Sequence, residues 1–158
     1  MKIKNVAKGQ LLQQSGALNS KIYHVKSGLL RSYFIDKKGK EHIFMFAPEG
    51  WVIADNVSPT TPTTLFIDAL ENSIVWVTEK DIEKETNGKK LIKRIEVLQK
   101  RIIQLMSSSA LERYEDFIQT YPDLSQRIPQ RMIASYLGVT PEALSKVKGE
   151  RTKKRDIP

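Results

Sequence analysis

The 158 residues suffice for one compact domain or two small ones, and 40% hydrophobic residues can build a core. The absence of cysteine rules out disulfides, thiolate metal sites and thiol nucleophiles within these residues. The net charge of +8 is uneven: residues 1–87 carry 11 Lys/Arg against 10 Asp/Glu, and residues 88–158 carry 15 against 8. A basic rear half suits a polyanionic partner, although a solvated helical surface gives the same excess.

The start, Met1-Lys2-Ile3-Lys4-Asn5, lacks the apolar run of a signal peptide. No apolar stretch approaches the roughly 18–20 residues of a membrane span. The expectation is a soluble, cytoplasmic protein with no membrane partner.

The first half reads as short strands with turn punctuation. Ile22-Tyr23-His24-Val25 is a β-type run closed by Lys26-Ser27-Gly28, and Leu29 to Ile35 follows. Asp36 to Lys40 is a polar, Gly-bearing hairpin loop, and Glu41 to Phe46 is its return strand. Simple alternation there puts His42, Phe44 and Phe46 on one face, and Ile43 and Met45 on the other. Pro48-Glu49-Gly50 is a turn. Thr64 to Leu70 and Ser73 to Thr78 are two more strands, after a Pro/Thr loop at Ser58 to Thr63 that cannot supply a central strand. This spacing predicts an antiparallel sandwich or roll.

From Lys89 the period changes. Leu91, Ile95, Leu98, Ile102 and Leu105 are spaced four, three, four and three residues apart, the seam of a helix packed on another helix. Ile92, Val97, Ile103 and Met106 widen the apolar face, which suggests that one flank packs on the sheet domain. A dimer seam is favoured, while a helix in its own core gives the same spacing. Ser107-Ser108-Ser109 interrupts the seam as a hinge. Ala110 to Tyr121 is a further helix, ended by Pro122. The tail from Gly149 to Pro158 is basic and is expected to fray.

Residues 130–149 have the layout of a helix-turn-helix. Two short helices must cross steeply over a small shared core. Ala134 suits the crossing, Gly138 suits a turn with positive φ, and Ile133, Leu137, Val139, Leu144 and Val147 supply apolar contacts. Thr140 is the expected N-cap of the second helix, with Pro141 in its first position and an end near Lys148. Glu142, Ser145 and Lys146 then face outward as base readers. Gln130, Arg131, Thr140, Lys148, Arg151, Lys153, Lys154 and Arg155 are cast as phosphate contacts. A two-helix hairpin that only packs would show the same apolar spacing.

These segments resemble the Crp/Fnr family of bacterial transcription regulators over nearly the whole chain. Lys8 to Gly16 followed by Ile22 to Gly28 is similar to the family's opening pattern, and Asp36 to Glu41 to its Gly-Lys-Glu hairpin. Pro48-Glu49-Gly50-Trp51 is similar to the turn before its phosphate cassette. Ile133 to Lys146 resembles its helix-turn-helix and is the most specific match, although Pro141 replaces a position often basic there.

The resemblance implies an α+β chain: an N-terminal antiparallel β roll of the double-stranded β-helix or jelly-roll type (1–87), a dimerisation helix and hinge (88–109), and a helix-turn-helix domain (110–158). It implies double-stranded DNA, a second copy of the chain and RNA polymerase as partners. An effector pocket would fall at Trp51, Asp55, Asn56, Thr63 and Thr64, its ligand unknown. The family's nucleotide binders use a Gly-Glu pair for ribose and an Arg for the cyclic phosphate. Residues 51–64 contain no Arg or Lys, so no tightly bound cyclic nucleotide is expected, because a buried phosphate would lack a cation. The lack of cysteine excludes the iron–sulfur sensing of some relatives. The family's N-terminal helix and a full wing are not expected in these residues.

No cofactor, metal site or enzyme activity is expected. His24 and His42 are on separate strands, without metal-ligand spacing, and no Gly-rich phosphate loop is present. The alternative is a small-molecule-sensing or protein-interaction module with a vestigial helix-turn-helix.

Overall fold

The computed structural model describes residues 2–80 and 88–155, and the side chains of Lys90 and of 152–155 lie outside that description. It divides into two units, Met1–Thr86 and Asn87–Pro158.

Among its described residues the first unit holds eight strands: β1 (Lys2–Val6), β2 (Leu11–Gln13), β3 (Lys21–Ser27), β4 (Leu30–Ile35), β5 (Glu41–Ala47), β6 (Val52–Ile53), β7 (Phe66–Ala69) and β8 (Ser73–Glu79). They form two antiparallel four-stranded sheets, in the orders β1-β8-β3-β6 and β2-β7-β4-β5. Alternate side chains enter the space between them. Val6, Tyr23, Val25, Ile53 and Val75 come from one sheet, and Leu30, Ala47, Ile67 and Ala69 from the other. Each large apolar side chain fully buried there contributes about 1.5–3 kcal/mol. Tyr23 also donates its hydroxyl to Leu12 O at 3.0 Å, linking one sheet to the other.

The simple alternation expected for β5 fails at Phe44. Ser32 pairs with Met45 but Tyr33 pairs with Ile43, so Phe44 is an extra residue in a bulge. Neighbours on β4 face opposite ways, so Ile43 and Met45 do too. Met45 packs on the core between the sheets, whereas buried Ile43 and Phe46 share the other face with Arg31 and Tyr33.

Arg31 lies buried on that second face. Nε and Nη2 donate to the two carboxylate oxygens of Asp68 at 2.8 and 2.9 Å, and Nη1 donates to Glu41 at 2.6 Å. Burial alone would lower the guanidinium pKa. The hydrogen bonds and charges of Asp68 and Glu41 outweigh it and raise the pKa above its ordinary value. In the β4–β5 hairpin, Asp36 Oδ1 accepts from the amides of Lys38 and Lys40 at 2.8 and 3.0 Å. Its Oδ2 lies 2.8 Å from His42 Nε2, and the His42 ring stacks on Phe34 at 4.7 Å.

The second unit is helical: α1 (Gly88–Ser107), α2 (Ala110–Thr120), α3 (Leu124–Arg127), α4 (Gln130–Leu137) and α5 (Pro141–Arg155). The serine triplet is where α1 ends and α2 begins. Ser109 caps α2, its Oγ accepting from Glu112 N, while the Glu112 carboxylate accepts from Ser109 N at 2.7 Å. Tyr114, Phe117 and Tyr121 of the α2 region meet Tyr136 of α4 in an aromatic cluster. Leu124, Ile128, Ile133, Leu137, Leu144 and Val147 complete the buried set.

Helix α1 leaves its seam uncovered. Leu91, Ile95, Ile102 and Leu105 are 45–58% exposed, and Leu98 is half-buried. Ile92, Val97, Ile103 and Met106, on the second flank of α1, are 53–81% exposed. No helix among the described residues is long and apolar enough to cross a membrane.

Candidate nucleic-acid interface

Helices α4 and α5 form the helix-turn-helix. Ala134 is buried at the crossing, between Ile133 and Leu137 of α4 and Leu144 and Val147 of α5. Gly138 ends α4 in the left-handed region, at φ 67° and ψ 34°, and its amide bonds back to α4. Thr140 caps α5 by accepting from Ala143 N at 3.2 Å. With Pro141 in the first position, no amide is left unpaired there.

Two arginines outside the hairpin bond to its turn, and Leu105 borders it. Arg113 of α2 donates to Leu137 O at 2.6 Å. Arg101 of α1 donates to Tyr136 O at 3.3 Å and lies 4.0 Å over the Tyr136 ring. A β-carbon at Gly138 would lie 3.5 Å from both Arg113 Nη1 and Leu105 Cδ2. Leu105 thus borders the turn as well as belonging to the apolar row of α1. Spacing alone could not reveal the two arginines, since an Arg on an amphipathic helix reads as surface.

The residues expected to read bases stand together. Glu142, Ser145 and Lys146 are all exposed on one side of α5, opposite buried Leu144 and Val147. Hydrogen bonds from its own amide and from Thr140 hold the Glu142 carboxyl below its ordinary pKa, so it stays an acceptor at neutral pH. Ser145 donates to Pro141 O at 3.1 Å.

The residues expected to contact phosphate are more scattered. Gln130 and Arg131 are exposed at the start of α4, and Thr140 is exposed at the start of α5. Lys148 is half-buried. Arg151, seven residues after Leu144, falls on the packed side, 6.0 Å over the Tyr114 ring. Lys153, Lys154 and Arg155 lie in α5, but their side chains are outside the described residues. The helix expected to end near Lys148 continues to Arg155, through the segment expected to fray. Gly149 adopts no positive φ, so it does not break the helix.

The five residues of the expected effector pocket differ in burial and in bonding. Asp55 is buried and accepts from Thr64 N and Leu65 N at 2.7 and 2.8 Å. Those amides are thereby taken from the sheet, which is why β7 begins at Phe66 and not at Thr64. Thr63 is buried and donates to Gln14 O at 2.7 Å. Trp51 packs on the core, and Asn56 and Thr64 are exposed. Lys80 donates to Ser20 Oγ, to Val57 O and to Asp55 O, tying the loop to the end of β8. Among the described residues, no three His, Asp or Glu gather as a metal set.

No family model matches the chain. Its fold is that of a CRP/FNR family transcriptional regulator from Thermus thermophilus, with a TM-score of 0.74 at 16% identity over 97% of this chain and 87% of that one. FixK2 from Bradyrhizobium japonicum also gives 0.74, at 18% identity over 97% and 85%. In sequence, the chain is 30% identical to the fumarate and nitrate reduction regulatory protein of Vibrio cholerae, across 98% of this chain and 70% of the relative. The chain belongs to the Crp/Fnr family. The regulatory protein HlyX of Actinobacillus pleuropneumoniae is a second relative, 29% identical over 92% of this chain and 70% of its own length. As a Crp/Fnr chain, this is a transcription regulator and not an enzyme. The roll of eight strands and the α4–α5 hairpin are the parts that the family resemblance predicts.

Proposed function

We propose that this regulator binds double-stranded DNA as a homodimer joined along α1, with one α5 from each copy in successive major grooves of a pseudo-palindromic site. Half-sites would then lie about 34–36 Å apart. The observation that carries this reading is the exposed set Glu142, Ser145 and Lys146 on a capped helix, held over a packed crossing. Glu142 accepts from a cytosine amino group and Lys146 donates to guanine acceptors. Thr140, Gln130 and Arg131 meet phosphate and set register. The apolar row of α1 supports the dimer, because two copies would cover what one leaves exposed.

RNA polymerase is the protein partner of this reading. Any effector acts by binding one arrangement of the dimer better than the other. That effector is not a tightly held cyclic nucleotide, since residues 51–64 offer no cation and Lys80 is already bonded to two carbonyls. A calorimetric titration with micromolar affinity for a cyclic nucleotide would overturn that part. The main test is selection from random duplex, followed by affinity for the winner against scrambled duplex at fixed salt. A palindromic winner bound about a thousandfold tighter is expected. Weak binding, steeply dependent on salt and indifferent to sequence, would refute base reading.

A further inference from the structure

The segment between β6 and β7 belongs to no strand, and Pro59 and Pro62 remove two of its backbone donors. It is nevertheless bonded on both sides. Toward the β2–β3 connection, Gly16 N donates to Thr63 O at 2.8 Å, Thr63 N to Ala17 O at 2.9 Å and Asn19 N to Pro59 O at 2.8 Å. Toward the end of β8, the fastening is a single ammonium.

That ammonium is Lys80 Nζ, which sits in a cradle of three oxygens. Ser20 Oγ and Val57 O accept from it at 2.7 Å each, and Asp55 O is the third acceptor. An ammonium carries three donors and no acceptor, so the cradle matches it in number. Asp55 is thereby held twice: its carboxylate by the amides of Thr64 and Leu65, its carbonyl by Lys80. Ser20 and Asp55 are buried at 4% and 3% exposure. Cradle oxygens left there without a donor are costly, so the cradle calls for a cation that can donate.

We propose that this cradle is a binding site for a primary ammonium group and that Lys80 is its resident ligand, which sets the loop without a small-molecule effector. A tethered group meets its site at an effective concentration of about millimolar or more, so the cradle stays filled. A ligand moves an equilibrium only through its differential affinity for two states. A loop whose polar groups are already paired leaves a newcomer little to gain, so DNA binding does not wait on an effector at this loop. This last step rests on the DNA-binding reading above, and the cradle itself does not.

The test uses the full chain. Lys80→Ala removes three carbons and the ammonium of the side chain, which n-propylammonium can supply from solution. In Lys80→Ala the amides of Thr64 and Leu65 should exchange hydrogen about tenfold faster than in the unaltered chain. Millimolar n-propylammonium chloride should restore most of that protection. Tetramethylammonium, which has the charge and no donor, and sodium at matched ionic strength should restore none. Lys80→Met, whose own side chain fills the space, should lose protection and gain none from the amine. Lys80→Arg keeps charge and donors and should retain part of the protection. For the effector, acid extraction of chain recovered from the selected duplex should release no small molecule in stoichiometric amount by mass spectrometry.

Failure of n-propylammonium to restore protection in Lys80→Ala, or equal restoration by sodium or tetramethylammonium, overturns the ammonium site. If Lys80→Ala does not fold, equal exchange in Lys80→Arg and Lys80→Met overturns it instead. A stoichiometric small molecule in the extract overturns the effector-free loop. If the unaltered chain binds no duplex selectively, the DNA-binding reading fails, and the amine titration still decides the cradle.

Discussion

Arg113 Nη1 donates to the carbonyl oxygen of Leu137 at 2.6 Å, so α2 closes the C-terminal end of α4. The last carbonyls of a helix have no donor within it, and this one sits immediately before the turn. Arg113→Met removes a charged donor and should lower stability by about 1.5–3 kcal/mol, read by urea denaturation. DNA affinity should fall with it, because the turn sets how α5 is presented. A variant within about 0.5 kcal/mol of the unaltered chain would show that the bond does not hold the turn.

Gly28 is fixed by space as well as by conformation. Its φ is +89°, and a β-carbon would stand 2.3 Å from Ser73 Oγ and 2.6 Å from Asn72 O. Ser73 cannot easily give way, since its Oγ accepts from Leu29 N at 3.1 Å and donates to Glu71 O at 2.8 Å. Gly28→Ala should therefore cost about 2–5 kcal/mol, the left-handed penalty together with the displaced loop. Denaturation followed by tryptophan fluorescence will measure it, and a cost below about 1 kcal/mol would contradict the packing.

The β4–β5 hairpin should respond to acid through Asp36. The hydrogen bond with His42 and those from the Lys40 and Lys38 amides hold its carboxyl below the ordinary value of 3.8. A depressed carboxyl stabilises the folded form above its unfolded pKa, and that contribution is lost as pH falls through the folded value. Carboxyl NMR should show Asp36 titrating below 3.8. Asp36→Asn should leave the hairpin's signals unchanged across that acid range. A midpoint at or above the ordinary value would remove the basis for this.

The row on α1 gives a prediction about assembly. Ile95 and Leu98 lie at its middle, three residues apart. Ile95→Glu together with Leu98→Lys should shift a dimer to monomer in ultracentrifugation at micromolar concentration. Affinity for a two-half-site duplex should fall at least a hundredfold, because each copy then binds alone. A chain that is already monomeric without the changes would contradict the seam.

Much of this architecture was legible in the chain. Gly138, Thr140 and Pro141 act through local backbone chemistry, so their roles at the turn and cap needed no tertiary knowledge. The switch from strand to helix period was equally local, and α1 begins at Gly88. Three strands escaped notice: β1 is an edge strand rich in lysine, while β2 and β6 have three and two residues. Such runs are too short or too charged to show a clean alternation.

The bulge at Phe44 lay beyond reach for another reason, since an extra residue changes no composition and only pairing with β4 exposes it. Gly149 misled in the opposite sense. A glycine near a basic tail looks like an end, yet the helix runs through it. The bonds from Thr64 N and Leu65 N to Asp55 were equally hidden, since they join residues nine and ten apart across a loop with no periodicity.

Leu105 carries a consequence for how this chain can vary. It belongs to the apolar row of α1, and its Cδ2 also borders the site of a β-carbon at Gly138. A valine, shorter by one carbon in its reach, suits a helix seam but would withdraw from the turn. If the copies pair along α1 as proposed, changes that tune that pairing and changes that tune the helix-turn-helix compete for one position. Divergence there should be slow, and where it occurs it should come with a matching change at Gly138 or Arg113.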